Sequence, residues 1–109
     1  MELGRDAATS HHVVGLRDRE PVHRHDTHDL LVVTLEGHGS MLLGSEERVV
    51  GPRSVVYVPR GVPHSMRNAS GAPLYGYAVF TPPFDGKDRV PVAEGPGGPP
   101  AERGGPDPR

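Results

Sequence analysis

The chain contains no cysteine. A disulfide framework and a thiolate ligand are both excluded, so any metal must be held by nitrogen and oxygen. No apolar run approaches the roughly 18 residues that a membrane-spanning helix needs. Basic charge is not in excess: the formal net charge is −2 at neutral pH, which offers no field to hold nucleic acid or anionic lipid. No segment provides about ten residues of helical period without Gly or Pro, so a helical fold and a helix-turn-helix are excluded as well. Met1–Asp6 lacks the apolar stretch of a secretory signal, and the cytoplasm is the expected compartment.

At 109 residues the chain has material for one small domain and one core. Residues 1–10 are polar and without clear period, and read as a loose arm with room for a short strand. Residues 94–109 form a tail: from Gly95 to Arg109, ten of fifteen residues are Gly or Pro, too little apolar surface to pack, so disorder is expected there. The folded domain is therefore expected over residues 11–93.

That middle section reads as β throughout. Leu30–Leu35 is a β-branched and aliphatic run ended by the turn Glu36-Gly37-His38-Gly39. Ser40–Leu43, Arg48–Val50, Ser54–Val58 and Leu74–Phe80 follow, each bounded by Gly, Pro or Ser. Turns at this spacing predict an antiparallel sandwich or barrel.

Two short segments carry the chemistry. His23 and His25 lie two apart, so on a strand both imidazoles share one face. Pro59-Arg60-Gly61-Val62-Pro63 reads as a rigid turn in which the prolines fix φ and Gly61 takes the positive φ of a tight reversal. This turn would deliver His64 onto the next strand, where a third imidazole could close a metal site against the first two. Asn68 has a structural reading, tying the strand end to a loop through its amide. Nitrogen-rich sites of this kind suit Zn, Fe, Ni, Cu or Mn, and softness alone does not choose among these divalent transition metals.

The order of strands, His-x-His, glycine turn, strands and Pro-x-Gly-x-x-His-x-x-x-Asn resembles the two sequence motifs of the cupin superfamily, over roughly residues 12–92. Pro59, Gly61, His64 and Asn68 match the second motif, and His23, His25 and Gly37 the first. Arg53 stands where the family usually has a glycine. The resemblance implies an all-β, double-stranded β-helix (jelly roll) with the three histidines facing its cavity. It also implies a homodimer. The family's acidic ligand does not align cleanly: counting forward from His25 reaches Asp29, and counting back from Gly37 reaches Leu30. Asp29 would complete a three-nitrogen, one-oxygen set, and His28 an all-histidine site. With neither, the site is similar to that of cupin thiol dioxygenases.

Other polar residues have plainer readings. His11 and His12, being adjacent, point to opposite faces and are read as surface, and His38 as an exposed turn residue. Tyr75 and Tyr77 share a face and read as sheet packing, with cavity hydroxyls the alternative. Met41 and Met66 read as core fillers, Met66 with the strand parity of His64. Arg53, Arg60 and Arg67 read as solvated loop charge. Cavity walls are expected from residues such as Leu31, Val33, Met41, Leu43, Val56 and Val58, their parity left open. Three functions fit: a metal-dependent enzyme (oxygenase, isomerase or lyase type) acting on a small polar molecule, a non-catalytic metal- or ligand-binding module, or a purely structural metal site.

Overall fold

Alternation of apolar and polar residues in short segments produces strands whose inner faces close on each other. The computed structural model describes residues 1–93 and holds ten strands: β1 (Glu2–Arg5), β2 (Ser10–Leu16), β3 (His23–His25), β4 (Asp29–Glu36), β5 (Gly39–Leu43), β6 (Glu46–Val50), β7 (Val55–Val58), β8 (His64–Asn68), β9 (Leu74–Thr81) and β10 (Arg89–Pro91). They form two five-stranded antiparallel sheets, ordered β1-β2-β9-β4-β7 and β10-β3-β8-β5-β6. This is the double-stranded β-helix expected from the sequence. No helix is long and apolar enough to cross a membrane among the described residues. The tail expected to be disordered, residues 94–109, lies outside the described residues.

The inner faces build one core from Leu30, Val32, Met41, Val50, Val58, Met66, Leu74, Ala78 and Phe80. Parity assigns the rest. Leu30, Val32 and Thr34 of β4 point inward, so Leu31 and Leu35 are exposed on the outer face. Leu31 and Val33 are therefore not cavity walls. Across the sheet Leu31 pairs with Tyr57 and Val79, and Val33 with Val55 and Tyr77, giving the outer face of this sheet an apolar surface. Tyr75 and Tyr77 belong to it, as the sheet-packing reading requires. The N-terminal segment, expected as a loose arm with room for a short strand, holds β1, which pairs with β2 as the edge of the first sheet.

Three local features hold the second sheet in register. Gly61 has φ +84° and its N–H donates to His25 O at 2.6 Å, so the turn before β8 is fastened to β3. Gly39 has the carbonyl of Arg67 where a Cβ would sit, 1.9 Å away; any side chain there would push β5 from β8. Asn68 Nδ2 donates to carbonyls of Leu16, Arg17 and Ala72, and its Oδ1 accepts from Ser70, which is the tying role expected of it.

Arg53, at the family's glycine position, has φ +73°. A left-handed conformation costs a side-chain-bearing residue about 1–2 kcal/mol, partly offset by the greater freedom glycine loses on folding. Arg53→Gly is therefore expected to raise stability by up to about 1 kcal/mol, read as a higher urea midpoint at unchanged slope. A lower midpoint would show that the Arg53 side chain contributes more than its backbone costs.

Candidate functional site

His23 and His25 both face inward because they are two apart on β3, and His64 lies directly across from His23 in the β3–β8 pair. Opposed residues in an antiparallel pair put their side chains on the same face. The ring centroids of His23 and His64 are 4.3 Å apart, those of His23 and His25 5.1 Å, and those of His25 and His64 5.4 Å. One ring nitrogen from each lies within 4.8 Å of the other two. All three side chains are buried.

Each Nδ1 is already engaged. His23 Nδ1–H donates to Pro21 O at 2.8 Å, His64 Nδ1–H to Val62 O at 3.0 Å and His25 Nδ1–H to Asp88 Oδ1 at 3.1 Å. These acceptors fix the tautomer: the hydrogen is on Nδ1 and the lone pair on Nε2. His64 Nε2 is buried and has no hydrogen-bond partner. An orphaned acceptor in such a place costs about 1–3 kcal/mol, and three converging Nε2 lone pairs are the donor set a divalent transition ion takes. The residues fit such an ion. Burial pushes the His64 pKa down to about 4 and that of His23 in the same direction, so both are neutral near pH 7.

Asp29 is not brought to this group. Its neighbour Leu30 faces the core, so Asp29 faces outward, where its carboxylate accepts from the Arg60 backbone N at 2.9 Å and from the Arg60 guanidinium at 3.3 Å. Those hydrogen bonds hold its pKa below the usual range. Asp29, the expected oxygen ligand, is placed here against Arg60, whose side chain is half exposed, a solvated loop charge as the sequence reading has it.

His28 is excluded differently. Its Nδ1 lies 2.7 Å from Asp88 Oδ2 and its Nε2 2.9 Å from Pro83 O; with acceptors at both nitrogens it carries hydrogen on both and has no lone pair to give. Burial alone would lower its pKa, but these bonds outweigh burial and raise it. Asp85 and Asp88 lie close enough to His28 to form a second candidate cluster, which the same double donation leaves without its nitrogen ligand.

Three participants escaped the sequence reading. Asp88, its side chain 7 % exposed, accepts from His25, His28, Thr27 N and Thr27 Oγ1; burial opposes its charge, yet these donors hold its pKa far below the usual carboxylate range. Glu20 and Arg89 line the same cavity of about 270 Å3 as the three histidines. Burial raises the Glu20 pKa, against the opposing effects of the Met66 N–H and Arg89. No motif spacing marks these residues; only the pairing of β10 with β3 brings Asp88 and Arg89 to the site. His12, read as surface, is buried instead. It lines the cavity, and its ring meets Phe80 and Phe84 edge-on. His11 lies on the opposite face with Tyr77 and Thr9.

A double-stranded β-helix with an inward cluster of imidazoles at these positions defines a class of small barrel proteins with an internal cavity. The sequence profile of the Cupin domain family matches residues 11–80, and the chain belongs to that family. It is 32 % identical over 92 residues to an uncharacterised protein of Aquifex aeolicus strain VF5, covering 84 % of this chain and 75 % of that one. Among solved structures it is similar to TT1209 of Thermus thermophilus, with a TM-score of 0.70 and 26 % identity over 77 % of this chain and 82 % of the other. KdgF of Halomonas sp. gives a TM-score of 0.73 at 18 % identity, covering 78 % of each chain.

The depressed histidines set an acid limit on stability. In the unfolded chain they titrate near 6.5; in the folded chain His64 does so at about 4. Between these values the unfolded state binds more protons, so stability is present above the upper one and is lost as pH falls toward the lower. The melting temperature of the metal-free protein is expected to drop across that interval. An unchanged melting temperature would contradict burial of neutral imidazoles.

Proposed function

We propose that this cupin holds a divalent transition metal through Nε2 of His23, His25 and His64, and acts as a metal-dependent enzyme on a small polar molecule. The observation that carries the reading is the buried His64 Nε2 without a partner, beside two further lone pairs of fixed orientation. A bound ion supplies Lewis acidity at the coordination positions the protein leaves open. The chain's own groups do the rest. Pro21 O, Val62 O and Asp88 orient the three rings, and Leu30, Val32, Met41 and Phe80 give the cavity its apolar walls. Zn, Fe, Ni, Cu and Mn all accept such a donor set, and oxygenase, isomerase and lyase chemistries all suit it. Neither Asp29 nor His28 is needed. Lacking cysteine, the chain has no use for an oxidising compartment, and we place it in the cytoplasm.

His64→Ala is expected to abolish stoichiometric binding of zinc, measured by calorimetric titration of metal-free protein, while the β-type circular dichroism stays in place. Unfolding of the variant would favour a structural metal instead. Tight uptake of a small molecule by the metal-loaded protein without any turnover would favour the binding module.

The same reading extends to assembly as a homodimer. The outer face of the first sheet exposes Leu31, Leu35, Val55, Tyr57 and Tyr75, and a contiguous apolar face of this kind marks an association surface. Sedimentation at micromolar concentration is expected to give a dimer that Leu31→Lys and Tyr57→Lys together convert to a monomer. A wild-type monomer would overturn this.

A further inference from the structure

The cavity beside the three histidines has mainly apolar walls, with His12 on the sheet that faces them. Its other walls include Met41, Met66, Leu74, Phe80 and Phe84, and its charged members are Glu20 and Arg89. Arg89 is opposite His25 in the β10–β3 pair, so its side chain projects from the same face as that imidazole. Among the described residues no hydrogen bond or ion pair engages its guanidinium. Arg89 is exposed while the histidines beside it are buried, which places the guanidinium at the mouth of the cavity.

Glu20 is held by three hydrogen bonds. Its N–H donates to Met66 O at 3.1 Å, its Oε1 accepts from Met66 N at 3.0 Å, and its carbonyl accepts from Ser65 Oγ at 2.6 Å. These bonds fasten it to β8, the strand that carries His64, and leave Oε2 without a partner among the described residues. Its oxygens are not within the group of converging ring nitrogens, so the carboxyl is a neighbour of that group and not part of it. The two charged heads do not form an ion pair with each other, although each lines the same space.

A guanidinium without an acceptor and a carboxyl with a free oxygen, set in an apolar cavity, describe their ligand by complement. Arg offers planar paired donors suited to a carboxylate, and the free carboxyl oxygen suits a hydroxyl. The cavity volume of about 270 Å3 falls just below the roughly 300–1,000 Å3 of sites for drug-sized ligands, so the ligand is small. We propose that the site takes a small hydroxy acid, its carboxylate held by Arg89 and its hydroxyl by Glu20, with its hydrocarbon portion against Phe80 and Phe84. This deepens the reading of the histidine cavity as a ligand site and rests on it.

Calorimetric titration of the zinc-loaded full chain with 3-hydroxybutyrate, butyrate and 1,3-butanediol tests the proposal. The hydroxy acid is expected to bind tightest, and to exceed the diol by about tenfold or more, the scale of a hydrogen bond to a charged group. Arg89→Met should erase the preference for acid over diol, and Glu20→Ala the preference of 3-hydroxybutyrate over butyrate. Glu20→Met, which keeps the length of the side chain without a group that can meet a hydroxyl, replaces the alanine variant if that does not fold, and is read in the same way. Equal binding of acid and diol by the wild type, retention of either preference by its variant, or no binding of either acid at millimolar concentration would overturn the proposal. Zinc titration of Arg89→Met keeps the two readings apart: it should match wild type. If wild type itself takes up no zinc, the metal reading fails, and the acid–diol comparison on the zinc-free chain still decides the role of Arg89.

Discussion

Three imidazoles can share one buried face only if each is neutral and each N–H has an acceptor. Here the acceptors are two main-chain carbonyls and one carboxylate: Pro21 O, Val62 O and Asp88. Both carbonyls belong to residues two positions before the histidine they serve, so the local chain path that places the ring also sets its tautomer. With Nδ1–H satisfied, burial costs only the lone pair on Nε2, and that remaining cost is what a ligand at the centre of the group would relieve. The rest of the site is arranged around this constraint.

Asp88 has a second consequence. One carboxylate oxygen serves His25 while the other serves His28, so the segment between β9 and β10 is fastened to the loop between β3 and β4. His28 is thereby spent as a cation paired to Asp88, with Pro83 O at its other nitrogen. Two histidines three residues apart thus have opposite roles, one with a ring nitrogen left free and one with both nitrogens engaged. Environment, not residue type, makes the difference.

The polarity of the cavity follows from its construction. Strands β2, β4 and β9 contribute small and aliphatic inward residues such as Gly76, Val32 and Ala78, while β3 and β8 contribute the imidazoles. The three imidazoles therefore share one wall, with His12 of β2 on the facing one. Arg89 arrives from the edge strand β10, where a long charged side chain reaches solvent without crossing the core.

The strands, the turns and the inward pair His23 and His25 were legible in the chain because β-branched runs, glycine breaks and a period of two are local properties. His64 and the positive φ of Gly61 were legible for the same reason, through the spacing of Pro59 and Pro63. What local pattern could not decide was pairing and parity across distance. Asp29 reads as a plausible oxygen ligand until Leu30 is seen to face the core, and Leu31 and Val33 read as cavity walls until the same parity turns them outward. Asp88, Glu20, Arg89 and the buried His12 have no spacing signature, since their positions depend on β10 lying against β3 and on Glu20 bonding to β8. Local periodicity, written residue by residue, determined which segments in the middle of the chain are strands and that His23 and His25 share a face. Only the closing of two sheets, a matter of contacts far apart in the chain, decided which polar groups meet them.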